Sequence, residues 1–394
     1  MAATPLPVVT ILADDLTGAC DTGCLFAGAG PVAVVVSPVL PDDDRPVIAV
    51  DTETRMLPDA VAATALRDAA GRLHARLAAG PVFKKIDSTM RGPVAAEVAA
   101  LLEHGPPFAG ALVCPAFPAE RRVVSHGRLL VDFVPVHESP IARDPGFRGA
   151  TSDLAALLAG PAPVVSLALD DVRAGSEKIA HVLEQHRGAV VAADAETDDD
   201  LASLARAALA VTGTLAVGSA GLGRAVSHAL GLTGPTVGLP AGPARLVVVG
   251  SLHPASRAQL DALGRAGIAV LTVDALGHGD LAPAIAALER GRPAVVASIA
   301  APAPREAMAG HLGRIAARIL DRAPADLVAV TGGDTAYALI QALRPRHFEL
   351  LGAPAAGLAL GRLTLEGGLA LPLLTKAGGF GGPDLFTTLL GGTP

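Results

Sequence analysis

Residues 8–21 read VVTILADDLTGACD. An apolar run over 8–13 stops at two adjacent carboxylates, Asp14 and Asp15. A Thr-Gly pair and small helix-forming residues follow. Read as structure, a buried strand gives way to a helix, with both acids at the junction. Working outward, the same unit recurs. Short β-branched or apolar runs stand at 32–36, 47–50, 82–86, 111–113, 163–167, 189–192 and 214–217, then at 245–249, 268–273, 293–298, 327–331 and 370–375. Ala/Leu/Arg-rich stretches such as 59–78 and 200–209 lie between most of them. Strands that are apolar almost throughout and alternate with helices predict α/β architecture, with mainly parallel sheets covered on both faces by helices.

The chain has 394 residues, a comfortable length for two domains. The segment GLTGPTVGLPAGPA, 231–244, is rich in Gly and Pro without periodicity and is the best linker candidate. It predicts domains at 1–235 and 242–394. Residues 123–149 read as a hairpin and loop inserted in the first, and no internal repeat is evident. The chain is 51% hydrophobic with mean hydropathy +0.47, through Ala, Val, Leu and Gly. No apolar run reaches the roughly 18 residues of a membrane span. The first residues show no basic region ahead of an apolar one, so no signal peptide is expected. Three cysteines, Cys20, Cys24 and Cys114, fit a reducing, cytoplasmic setting. Cys20 and Cys24, four apart, predict core packing on one helix face. A net charge of −7 with nine Phe, one Tyr and no Trp argues against nucleic-acid binding.

GSAGLGRA, 218–225, has the glycine spacing of a P-loop, but Arg224 and Ala225 replace the Lys and the Ser/Thr. A close strand–helix turn is the better reading. Three strand ends in the second half turn into small-residue loops: Gly250-Ser251, Gly332-Gly333-Asp334-Thr335, and Lys376 with Gly378, Gly379 and Gly381. Such loops lie at the carboxyl ends of parallel strands, where glycine lets backbone approach a phosphate. Asp334 or Thr335 as a helix cap, and Lys376 as a solvated loop lysine, are the plainer alternatives. In the first half, DTETRML (51–57) presents Arg55. FKKIDSTMRG (83–92) gathers Lys84, Lys85, Asp87, Ser88, Thr89 and Arg91 at a strand end. Alternation puts Lys85, Asp87 and Thr89 on one side. Capping by Ser88 or Thr89 competes with binding of a small anionic, hydroxylated substrate. Asp14 and Asp15 are adjacent, so an extended chain sends them apart. That disfavours a phosphatase whose two aspartates sit two residues apart on one side. Divided labour is expected instead, one acid at a substrate hydroxyl and the other capping the helix.

The ordered set LADDLTGACDTG, TETR, KKIDSTMRG, CPAFPAERRVVSHGRLLVDFVPVHES, VGSAGLG, VVVGSLHP, VTGGDTA and LLTKAGGFGGPDLF resembles the four-carbon acid sugar kinase family across nearly the whole chain. The resemblance implies ATP-dependent phosphorylation of threonate, erythronate or a 3-oxo-tetronate, with the 4-hydroxyl as the family-level acceptor. It implies a substrate-binding N-terminal domain, a nucleotide-binding C-terminal domain and an active site in the cleft between them. Carried over by motif, the substrate side is Asp14 or Asp15, Arg55, Lys85, Asp87, Ser88 and Arg91. The nucleotide side is Ser251, Gly332, Gly333, Asp334, Thr335, and Gly378 or Gly381. Asp15 or Asp14, with Asp87 second, is the expected base. Mg2+ accompanies ATP, with Asp334 the guess for its carboxylate. A homodimer is possible, and neither nucleic acid nor membrane is an expected partner. A non-catalytic sugar-acid or nucleotide sensor is the rival reading. The sequence departs from the family where GGDT stands for GGET, where KAGGFG loses a serine, and at His253.

Overall fold

In the computed structural model, residues 6–36, 45–274, 277–298 and 304–391 are described. The chain divides into two compact units, 1–234 and 235–394.

The first unit is built on β1 (Val9–Ala13), β2 (Val32–Val36), β3 (Val47–Asp51), β4 (Val82–Lys85) and β5 (Gly110–Cys114). A small antiparallel sheet follows in the inserted segment: β6 (Arg122–Ser125), β7 (Arg128–Val131) and β8 (Val134–Pro135). Then come β9 (Val164–Leu167), β10 (Val190–Ala193) and β11 (Thr214–Gly218). The main sheet runs β2-β3-β1-β4-β11-β5-β10-β9 and is parallel throughout. Every residue of β1, β3 and β5 is buried, which is why they read as unbroken apolar runs. Each Val, Ile or Leu so buried contributes about 1.5–3 kcal/mol.

The helix Leu16–Leu25 begins where β1 ends, capped by Asp15, whose carboxylate accepts from the Gly18 N–H at 2.8 Å. Its small residues let it lie close to β1, β2 and β3 and to the helix Ala220–Ala229. Cys20, Cys24 and Cys114 are buried and form no disulfide, and burial pushes the Cys114 thiol up to about 12. The stretch 59–78 forms two helices, Asp59–Arg72 and His74–Ala79, separated at Leu73. The glycines of GSAGLGRA serve packing. A Cβ on Gly218 would lie 2.6 Å from the Cys114 carbonyl oxygen, and one on Gly221 2.6 Å from that of Ala116.

The second unit holds β12 (Arg245–Val249), β13 (Val270–Val273), β14 (Ala294–Ser298), β15 (Leu327–Thr331), β16 (His347–Gly352), β17 (Leu358–Thr364) and β18 (Ala370–Lys376). Its order is β13-β14-β12-β15-β18-β17-β16, with β17 antiparallel to both neighbours. Its core joins Val247, Val249, Val295, Ala329 and Leu374 to Leu263, Phe386 and Leu389 from helices. Parallel strand order places the ends of β12, β15 and β18 side by side.

Candidate active site

At the end of β1 the chain bends over Asp14 and Asp15. The bend cancels strand alternation, so the two carboxylates do not diverge: both meet Arg55. The Arg55 backbone is fixed first, since the Asp14 carbonyl accepts from the N–H groups of Thr54 and Arg55 at 3.0 and 3.1 Å. Its guanidinium then donates to Asp14 through Nε (2.8 Å) and Nη2 (2.7 Å), and to Asp15 through Nη1 (2.5 Å) and Nη2 (2.8 Å). Asp14 is buried. Burial alone would raise its pKa, but Arg55, with Lys84 and Lys85 behind it, outweighs that and holds the carboxyl below its usual range. One aspartate does cap the helix, as the divided-labour reading expects, yet neither is free of Arg55.

A second carboxylate–guanidinium group adjoins the first. Arg91 donates to Asp87 through Nε (2.9 Å) and Nη2 (2.7 Å), and to Asp144 through Nη1 (3.0 Å). The Thr89 hydroxyl and amide also reach Asp87. Burial opposes ionisation of Asp87, but Arg91, Arg55 and Thr89 together hold its pKa well below the usual value. Ser88 is half-buried with no hydrogen bond among the described residues. Neither it nor Thr89 caps the following helix, Val94–His104, which starts after Pro93 without a side-chain cap.

Lys84 and Lys85 leave β4 on opposite faces. Lys84 is fully buried against Glu97 of the helix Val94–His104, with Nζ 2.9 Å from Oε2. Glu97 is also held by the Thr54 hydroxyl, which in turn pairs with Thr52 at 2.8 Å. Burial raises the Glu97 pKa, Lys84 pulls it back, and Asp14 adds to the rise. Lys85 is 7% exposed, lies over Gly18 and makes no ion pair or hydrogen bond to a described residue. Glu97 and Asp144 were not anticipated from sequence. A helix glutamate and a loop aspartate become site residues only through contacts made 13 or more positions away.

In the second unit three loops converge. A Cβ on Gly378 would lie 2.4 Å from Ser251 Oγ, one on Gly332 3.4 Å from the Ser251 nitrogen, and one on Gly250 1.9 Å from Thr335 Oγ1. Gly332, at φ +101°, adopts a conformation that side chains resist. Neither Asp334 nor Thr335 caps the helix Gly333–Leu343 with its side chain. Thr335 is buried under Gly250, and Asp334 is ion-paired with Arg305. His253 takes the cap of its own helix, Pro254–Arg265, with Nδ1 accepting from the Ala255 N–H at 3.2 Å. That accounts for this departure from the family motif.

Lys376 is not a solvated loop lysine. It is 2% exposed, and its ammonium donates to Ser256 Oγ (3.3 Å) and to the carbonyls of Ala377 and Gly378 (both 3.1 Å). Burial lowers its pKa to about 8. Ser256 Oγ reinforces the Gly378 carbonyl at 2.8 Å. Gln259, also buried, points Nε2 at the carbonyls of Phe380, Gly381 and Gly382, at 3.0–3.1 Å. The loop's carbonyls are thus turned inward, while the amides of Gly378, Gly379, Gly381 and Gly382 have no acceptor among the described residues. Backbone N–H groups left free in this way suit phosphate oxygens.

Among the described residues no group of three or more His, Cys, Asp or Glu could hold a metal ion, and Asp334 is engaged by Arg305. The carboxylate expected to anchor Mg2+ is thus already paired.

Comparison with known proteins separates the halves in the same way. A family model described as a sugar-binding N-terminal domain matches residues 9–226, and one described as a nucleotide-binding C-terminal domain matches 246–386. The chain belongs to the four-carbon acid sugar kinase family. As a member it is an ATP-dependent kinase of a sugar acid. It is 36% identical over 402 residues to a D-threonate kinase of Bordetella bronchiseptica, covering 96% of each chain. It is 32% identical to a 3-oxo-tetronate kinase of Methylobacterium radiotolerans, covering 95% of this chain and 96% of the relative. A solved Bordetella bronchiseptica structure, a domain-swapped dimer with bound citrate, matches at 32% identity and TM-score 0.50 over 98% of each chain.

Proposed function

We propose that the kinase transfers the γ-phosphoryl group of ATP to the terminal 4-hydroxyl of threonate, erythronate or a 3-oxo-tetronate. Residues 1–235 would hold the sugar acid and 242–394 the nucleotide. The observation that carries the reading is the state of the cations in the first unit. Arg55 and Arg91 are each saturated by two carboxylates, whereas Lys85 is buried at the same strand ends with no anion of its own. A mostly buried lysine with no carboxylate bound to its ammonium favours an incoming carboxylate. Ser88 and the aspartates fixed by Arg55 and Arg91 would then meet the substrate hydroxyls. Ser251, Gly332 to Thr335, and the amides around Gly378 and Gly381 would receive the ATP phosphates. Mg2+ would travel with those phosphates, bound to their oxygens and keeping several of its waters.

Two further readings go with it. The domain-swapped dimer of the Bordetella bronchiseptica structure supports a homodimer. The three buried cysteines, none in a disulfide, suit a reducing compartment such as the cytoplasm. No helix among the described residues is long and apolar enough to cross a membrane. The test is ADP release with Mg2+-ATP against D- and L-threonate, D- and L-erythronate and the 2- and 3-oxo acids. A phosphorylated product from one of them identifies the substrate. ATP binding without ADP from any would move the substrate outside the four-carbon acids. No ATP binding would leave a sensor.

A further inference from the structure

The three carboxylates expected to act as base are all committed elsewhere. Both oxygens of Asp14 accept from Arg55. Those of Asp15 accept from Arg55 and the Gly18 amide, and those of Asp87 from Arg91 and Thr89. A carboxylate locked to a guanidinium has little basicity left for a hydroxyl proton.

One acid near them is not committed. Asp21, on the helix Leu16–Leu25, is half-buried and makes no ion pair or hydrogen bond to a described residue. It stands three positions after Gly18, on the same helix face. That face is where Lys85 lies: a Cβ on Gly18 would be 3.0 Å from Lys85 Nζ. The charges that act on Asp21 are Lys85 from β4, Arg224 from the helix Ala220–Ala229, Asp15 from its own helix cap, and Glu120 from the turn after β5. The two cations are unusual for this site in having no carboxylate bound to them. Arg224 lies over the Phe117 ring, 5.9 Å from its centre, and Lys85 has no partner. Asp21 and Lys85 feel each other's charge without forming an ion pair. An acid and a cation at one helix face, neither bound to the other, are complementary to a ligand with a hydroxyl at one end and a carboxylate at the other.

We infer that Asp21 is the catalytic base that accepts the proton of the acceptor hydroxyl, with Arg224 balancing charge on the arriving phosphoryl group. The inference rests on the kinase reading above. In the step, the substrate O–H bond breaks and its proton passes to Asp21. The freed oxygen bonds to the γ-phosphorus of ATP, the bridging P–O bond breaks, and its electron pair leaves with ADP. Asp21 then returns the proton to solvent. This also gives Arg224 of GSAGLGRA a role beside the packing done by that segment's glycines. Burial raises the Asp21 pKa, and Lys85 and Arg224 offset it only in part. A base must be ionised to act, so turnover should fall on the acid side at a pH above the usual carboxylate value.

The test is steady-state kinetics of wild type and Asp21→Asn with whichever acid of the panel is turned over, across pH. The expected result is a fall in kcat of about 100-fold or more, KM for ATP and sugar acid within threefold of wild type, and loss of the acid limb of the kcat profile. A kcat within tenfold of wild type overturns the assignment. So does a loss confined to KM for the sugar acid, which would make Asp21 a binding residue. Should Asp21→Asn melt early or fail to bind ATP by calorimetry, Asp21→Ser, smaller and without charge, is read by the same criteria. Failure of the kinase reading looks different: wild type itself would release no ADP with any acid.

Discussion

Replacing Glu97 by Ala should be among the most damaging single changes in the first unit, although Glu97 touches no ligand in the reading above. Lys84 and Glu97 are both fully buried, 2.9 Å apart. Removing the carboxylate leaves an ammonium in the sheet–helix core without its ion-pair partner, the charge of Asp14 acting on it only from beyond contact, a loss of about 3–5 kcal/mol. The one methylene removed with it accounts for about 0.8 kcal/mol, so the charge dominates. Lys84→Met alone strands the glutamate instead, with Thr54 its remaining partner. The double variant Lys84→Met/Glu97→Met removes both charges and keeps the volume, so it should recover to within about 1–2 kcal/mol of wild type. The chain has no Trp, and its single tyrosine, Tyr337, lies in the second unit. Unfolding of the first unit is therefore best followed by hydrogen exchange at the amides of β4 and the helix Val94–His104. The reasoning fails if Glu97→Ala costs less than about 1 kcal/mol, or if the double variant is as unstable as the two singles added together.

Three further outcomes follow from the same contacts. Gln259→Leu keeps the shape but drops the donors to three loop carbonyls, so KM for ATP should rise about tenfold, about 1.4 kcal/mol, with KM for the sugar acid unchanged. Lys376, its pKa lowered to about 8 by burial, binds fewer protons folded than unfolded between that value and 10.5. Stability of the second unit should therefore rise with pH through that window, and Lys376→Met should flatten the rise in parallel urea titrations. Arg55→Lys keeps the charge but loses the fork that joins Asp14 to Asp15. It should cut kcat/KM for the sugar acid about 100-fold, about 2.7 kcal/mol, while ATP binding measured by calorimetry stays as in wild type.

The parallel strands were legible because burial on both faces leaves nothing polar to interrupt them. Arg245–Val249 and Leu327–Thr331 lie where the apolar runs placed them. β16 and β17 were not legible. In HFELLG the residues alternate between buried and more exposed, Glu349 pairs across to Arg362, and a register shift interrupts the ladder. Short mixed runs of that kind look like loop. In the site, polar residues that follow an apolar run, such as Arg55 and Asp87, stood out. What the sequence could not supply was their pairing. Asp14 and Asp15 share one guanidinium only because the chain bends where the strand ends. Glu97 reads as the solvated face of an Ala-rich helix until Lys84 is found beneath it, and Asp144 is brought to Arg91 from 53 residues away.

The two units prepare for anions by opposite means. The first orders its site with side-chain charge. Two guanidiniums hold four carboxylates, which fixes their oxygens in place and leaves Lys85 and Arg224 without a bound carboxylate among the described residues. A small acid with several stereocentres needs such fixed, directional partners, because one misplaced oxygen is the whole difference between stereoisomers. The second unit uses backbone. Buried Lys376, Ser256 and Gln259 hold five loop carbonyls inward, and the amides of Gly378, Gly379, Gly381 and Gly382 have no acceptor among the described residues. Phosphates present many equivalent oxygens, so a row of N–H groups recognises them without a side chain of matching shape. Lys376 therefore acts from beneath the loop, by fixing which way its peptides point. In a chain of net charge −7 this has a consequence for both sites. Anion binding has to come from a few desolvated or pre-oriented donors rather than from a positive field, and should depend only weakly on ionic strength.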